Sequence, residues 1–326
     1  MTSISWSDAE VRRYRANRID RTHVMMETMN LTAMIDCRNT LGECILWCDR
    51  TLSLLWTDIE GATLYRYASE SRTLQTFAMP ERLASFALTD DDDRLLLGLE
   101  SQLAYFSFSS GLITPICDVE PDLPSTRIND GRCDRQGRFV FGTFNQAGGH
   151  TPLASFYRLN HDLTLERLPL ERIAIANSIC FSLDGCTMYY CDSPAKEIRC
   201  CDYDLATGSV SGERRFADLA GEPGVADGSL IDADGYLWNA QWGGARVVRY
   251  APDGSVDRIV TMPISQPSSV AFGGPRLDQL YVTTARAGLS PETLAEEVGA
   301  GSIFHAHAAG IAGLPADRFT GTALIH

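Results

Sequence analysis

Asn129, Asn177 and Asp227 carry side chains able to hold a divalent cation or to orient a reacting oxygen. Each stands eight residues before a glycine, in NDGRCDRQG (129–137), NSICFSLDG (177–185) and DGSLIDADG (227–235). Each glycine introduces an apolar run, so three stretches of chain put a polar side chain at one structural address. The segment LGECILWCDRTLSLLW (41–56) lacks the glycine but sets Glu43 about the same distance ahead of its own apolar run. Arranged about an axis, four such stretches bring their polar side chains together. Glu43, Asn177 and Asp227 are hard oxygen donors that suit Ca, Mg or Mn and accept Zn or Fe(II). Two carboxylates against one dication give a nearly neutral cluster. Three protein ligands also leave positions for water and substrate, as in a catalytic metal site. The alternative is local: Asn and Asp are common turn formers, and the Asp-Gly pairs in DADG (232–235) and LDG (183–185) are read as turns only. A turn places no demand on the other repeats, whereas a shared site requires the common register that is seen. Asp130 is left between two roles, supporting the site from behind or stabilising a turn.

The elements that position these residues are set by repeats. The apolar runs LLWTD (54–58), LLLGL (95–99), FVFGT (139–143), MYYCD (188–192), LWNAQ (237–241) and LYVTT (280–284) recur at intervals of 41 to 49 residues. That interval is the length of one four-stranded propeller blade. Most runs are followed by a turn and a second β-rich stretch, as in ATLYRYASESRTLQTF (62–77) and ARVVRYAPDGSVDRIVTM (245–262). Helical periodicity is weak, and the connections are too short and turn-rich for βαβ units. Helices are expected only near SDAEVRRYRANR (7–18) and SPETLAEEVG (290–299), capped by Ser7 and Ser290. The expected fold is all-β, a six-bladed β-propeller of four-stranded antiparallel blades. It forms a single domain over residues 26–326, preceded by an N-terminal extension, residues 1–25. To close the ring without an open edge, NLTAMIDC (30–37) is expected to supply the outermost strand of the last blade, built from 267–273, 280–285 and 302–306. The first strand of each blade then lines the channel, and its start faces the central mouth.

Composition narrows the function classes. The 326 residues are 44% apolar and 21% charged, and the formal net charge of -14 leaves no basic footprint for nucleic acid. No run of about 18 apolar residues is present for a membrane span, and the polar start MTSISWSDAEVRRYRANRID has no export signal. The ten cysteines are scattered, include adjacent Cys200 and Cys201, and form no CxxC pair or zinc spacing. Reduced thiols in the cytoplasm are expected. Neither GxSxG nor HExxH occurs, and the histidines show no ligand spacing on a helix. His150, in a Gly-rich loop, is read as solvent-exposed, with a contact at the mouth as the alternative.

The ordered motifs LGECILW (41–47), RINDGRCDRQGRFVFGT (127–143), IANSICFSLDGCTMYYCDS (175–193), ADGSLIDADGYLWNAQWGGARVVRY (226–250) and AFGGPRLDQLYVTTARAG (271–288) span several blades. Together they resemble the senescence marker protein (regucalcin)/gluconolactonase family, over about residues 38–322. The resemblance implies a six-bladed propeller with one divalent metal and, for bacterial members, sugar lactonase activity. Carried over by motif, Glu43, Asn177 and Asp227 are the metal ligands, and Arg127 and Asn129 contact substrate. Asp227 is also expected to orient or deprotonate the attacking water. Arg127 has an alternative role in a salt bridge between blades. The first motif departs from the family's usual LGEGP, reading LGECI here, and the loop FNQAGGHTPLAS (144–155) is unlike many relatives. The expected activity is hydrolysis of a five- or six-carbon aldonolactone of the gluconolactone, arabinonolactone or xylonolactone type. The cofactor is one divalent cation, among Ca, Zn, Mn, Mg and Fe(II), and the partner is the small-molecule lactone. The competing class is a calcium-binding regulatory or scaffold propeller without hydrolase activity; within hydrolases, an organophosphate or aromatic lactone is the other substrate class.

Overall fold

In the computed structural model, which describes residues 29–321, the strands form six four-stranded antiparallel sheets. The innermost strands are Gly42–Cys48, Leu83–Leu88, Thr126–Cys133, Ala176–Phe181, Val225–Ile231 and Pro267–Gly273. They pack in that order around a ring, the last against the first, and define blades 1 to 6. The apolar runs of the repeat are the second strands, among them Ser53–Asp58, Phe139–Asn145 and Leu237–Trp242. They read as unbroken apolar stretches because each blade is covered by a neighbour on both faces. Apolar clusters fill the interfaces: Leu46, Leu55 and Leu64 meet Phe86, Leu95 and Leu97 between blades 1 and 2. Trp238 and Val247 meet Val270, Phe272 and Leu280 between blades 5 and 6. Each such side chain, fully buried, stabilises the ring by about 1.5–3 kcal/mol.

Blade 6 closes the ring as expected, its outermost strand being Thr32–Ile35, with Thr32 opposite His305 and Ala33 opposite Phe304. The helix Pro291–Glu296 is capped by Ser290, whose side chain accepts a hydrogen bond from the Thr293 N–H. The other expected helix (7–18) and the boundary after residue 25 lie outside the described residues.

Two local devices produce the eight-residue register. At the channel base the inner strand turns back through a left-handed glycine: Gly137 at φ +85°, Gly185 at +71° and Gly235 at +84°. Asp134 Oδ1 accepts from the Gln136 and Arg138 N–H groups, and Asp232 Oδ1 from those of Asp234 and Tyr236, which fixes two of these turns. Nearer the mouth every inner strand carries a bulge, placed at Glu43/Leu46, Leu83/Ser85, Ile128/Gly131, Asn177/Cys180, Ala226/Ser229 and Pro267/Val270. Such a bulge re-aims a side chain without ending the sheet. The fixed run of strand between bulge and turn is what the sequence displays as a constant spacing.

Beyond the last blade, residues 311–321 cross the channel base. Asp317 pairs with Arg135 at 2.6 Å, and the Phe319 N–H donates to the Leu88 carbonyl at 2.7 Å. Behind this strap lies a cavity of about 60 Å³ bordered by Arg132, Cys133, Cys180 and Leu314–Asp317. It sits at the opposite end of the inner strands from Glu43, Asn177 and Asp227.

Candidate functional site

Glu43, Asn177 and Asp227 arise from the bulged inner strands of blades 1, 4 and 5. The Glu43 and Asp227 carboxyls share a hydrogen bond, and Glu43 Oε2 also accepts from the Cys44 N–H at 3.2 Å. Burial, reinforced by the Asp130 charge, pushes the Glu43 carboxyl up to about 8. Burial and the Glu43 charge hold Asp227 well above the usual carboxylate range. Asp130 is raised by burial as well; its Oδ2 accepts from the Ile179 N–H at 2.8 Å, so it braces blade 4 from blade 3. A buried pair of adjacent carboxyls is a site where a dication would satisfy both charges at once. Among the described residues no three His, Cys, Asp or Glu side chains are grouped for a metal. Asn177, the third residue of the expected donor set, carries an amide instead.

That amide lies in a directed chain of hydrogen bonds. Arg127 Nη1 donates to Asn129 Oδ1 at 2.6 Å and to the Ile128 carbonyl at 2.8 Å. Asn129 Nδ2 donates to Asn177 Oδ1 at 2.9 Å, and Asn177 Nδ2 to Ser193 Oγ at 2.9 Å. Because arginine only donates, the Asn129 oxygen must face Arg127, and each amide down the chain is oriented in turn. The Asn177 oxygen retains a second lone pair, so it fits as a cation donor.

Arg127 is 4% exposed and its guanidinium lies 4.8 Å from the Phe144 ring centroid. Burial lowers it to about 10, with Arg82 adding to the effect. Its hydrogen bonds go to an amide and a backbone carbonyl rather than to a carboxylate, and its buried Nε has no partner among the described residues. A salt bridge between blades is made instead by Arg82, whose Nη1 meets Glu60 of blade 1 at 3.2 Å while its Nε donates to Glu100 of its own blade at 2.9 Å. Neither Arg82 nor Ser193 stands out in the sequence, since each reaches its partners through a connection that carries no period. Gln241 is turned into its blade toward Tyr250 and Arg246, Trp242 is half-buried, and His150 is exposed.

Comparison with known proteins gives a consistent result. The family model described as SMP-30/Gluconolactonase/LRE-like region matches residues 41–286. The L-arabinolactonase of Azospirillum brasilense is 54% identical over 293 residues, covering 89% of this chain and 96% of that one. The regucalcin of Gallus gallus is 31% identical over 301 residues, covering 91% and 100%. The solved structure of a calcium-binding protein, regucalcin, from Agrobacterium tumefaciens matches with a TM-score of 0.83 at 28% identity, over 89% of this chain and 97% of that chain.

Proposed function

Since the chain belongs to the SMP-30/gluconolactonase/LRE-like family, we propose that it is a metal-dependent sugar lactonase opening a five- or six-carbon aldonolactone to the aldonic acid. The relative at 54% identity favours a five-carbon lactone of the L-arabinose type. The single observation that carries metal dependence is the buried Glu43–Asp227 carboxyl pair, with Asn177 on the inner strand of the adjoining blade 4. These three side chains would hold a divalent cation, which supplies polarisation of the lactone carbonyl and acidification of water.

The chain's own residues account for the remaining chemistry. Hydrolysis adds water to the lactone carbonyl carbon, forms a tetrahedral oxyanion, and then breaks the bond to the ring oxygen, which leaves as a hydroxyl. Asp227 takes the proton from the attacking water and returns one to the ring oxygen. Arg127 and Asn129 orient the sugar's oxygens. The ten free thiols support a reducing compartment, the cytoplasm.

Proton release from a panel of five- and six-carbon aldonolactones, with and without chelator, tests the proposal. Acceleration that chelator abolishes and a divalent cation restores is the expected result. No metal-dependent acceleration on any member would overturn it.

A further inference from the structure

The three ligand-bearing segments are gripped from outside by serine hydroxyls. Ser178, in blade 4, donates through Oγ to the backbone carbonyl of Asp227 in blade 5 at 2.6 Å. Ser193, also in blade 4, donates to the Ala226 carbonyl at 2.8 Å while accepting from Asn177 Nδ2 at 2.9 Å. Ser268, in blade 6, donates to the carbonyl of Gly42, the residue before Glu43 in blade 1. We infer that Ser178, Ser193 and Ser268 are positioning residues that hold the cation's donors in register across blade boundaries. The inference rests on the assignment of Glu43, Asn177 and Asp227 as those donors.

Burial, conformation and close packing support it. Ser178 and Ser268 are 0% exposed and Ser193 is 5% exposed, so water does not readily replace a lost hydroxyl. Ser178 adopts φ +62°, a conformation that favours glycine, yet keeps a side chain that bonds the next blade. The boundary around Ser268 has no slack: a Cβ on Gly228 would lie 2.9 Å from the Ser268 carbonyl oxygen, and one on Gly42 would lie 2.7 Å from that of Thr284. Three donors on three separate strands converge only if the blades keep their offset, and these hydroxyls act at those boundaries.

Calorimetric titration of the chelator-treated full chain with calcium, manganese and zinc ions tests this without relying on turnover. Wild type is expected to bind one cation, and Asp227→Asn to bind none measurably. Ser178→Gly, Ser193→Ala and Ser268→Ala are expected to bind it roughly tenfold more weakly, the size seen when groups behind a metal ligand are removed. Ser178→Gly removes the hydroxyl while keeping the left-handed backbone accessible. Ser53→Ala is the control, because its buried Oγ makes a comparable bond, to the Thr51 carbonyl at 3.0 Å, at the opposite end of the inner strand. Should an alanine variant fail to fold, Ser193→Cys and Ser268→Cys retain a weak donor and are expected to bind with intermediate affinity. Affinities within twofold of wild type in all three serine positions, or equal weakening in Ser53→Ala, would overturn the inference while leaving the ligand assignment intact. A wild type that binds no cation, or an Asp227→Asn variant that binds as wild type does, would overturn both.

Discussion

Arg127 is a buried cation whose hydrogen bonds reach an amide oxygen and its neighbour's carbonyl, while its Nε–H stays buried with no partner among the described residues. Arg127→Ala is therefore expected to raise the lactone KM roughly tenfold or more and to lower kcat less, since a hydrogen bond to a charged group contributes about 1.5–3 kcal/mol. Asp227→Ala removes the proposed cation donor and proton-transfer group together. Turnover is expected to fall by at least about a thousandfold, within the range typical of general acid–base groups. Steady-state kinetics over the lactone panel checks both, and wild-type parameters in either variant would contradict its role. Glu43, Asn129, Asn177 and Asp227 are legible in the sequence because strand length ties each to a turn or apolar run at a constant distance. Ser193 and Arg82 are not, because one sits in a short connection and the other reaches Glu60 of a neighbouring blade. Asp130, open between two roles from sequence, braces the Ile179 N–H.

At the level of strands, the bulge decides where a side chain points, and its cost is visible at Cys44. This residue takes φ +47°, at a position where the family's usual LGEGP has glycine. Its thiol makes the position tolerable: Sγ accepts from the Phe86 N–H at 3.2 Å and lies 3.6 Å from the Phe86 carbonyl, joining blades 1 and 2. Cys44→Gly is expected to leave stability within about 1 kcal/mol of wild type, because relief of roughly 1–2 kcal/mol of left-handed strain offsets the lost thiol contacts. Cys44→Val gains a β-branch in the same conformation and is expected to destabilise by more than about 2 kcal/mol. Denaturant unfolding of the two variants distinguishes these outcomes; equal losses would show that the bulge does not need the left-handed residue. Second strands such as SLLWTD and RLLLGL are conspicuous in the sequence because both their faces are buried. The closing strand Thr32–Ile35 can be placed because the last blade otherwise lacks an outer edge. Bulges stay hidden, since an extra residue is defined only against its partner strand.

On the scale of the ring, each blade packs mainly on its neighbours, so stability depends on the weakest boundary as well as on the sum of interfaces. The strap at the channel base adds links between blades that are not adjacent. Ala312 accepts from the Ala233 N–H of blade 5 at 2.9 Å, and the Gly313 N–H donates to Leu277 of blade 6 at 2.7 Å. Arg318 pairs with Asp49 beside blade 1 at 2.8 Å, and Phe319, 1% exposed, fills the interface of blades 2 and 3. Truncating that ring leaves a cavity while also loosening the strap, so Phe319→Ala is expected to cost about 3–5 kcal/mol. Catalysis should respond differently, because Glu43, Asn177 and Asp227 lie near the starts of their inner strands, at the other end of the channel. The expected result is a kcat/KM within about twofold of wild type at 25 °C, together with a markedly shorter half-life of activity on heating, the measure suited to a large domain that unfolds irreversibly. Thermal inactivation at the wild-type rate would show that the ring is held closed by blade 6 alone, and an early loss of kcat/KM at 25 °C would show that the base and the mouth move as one body.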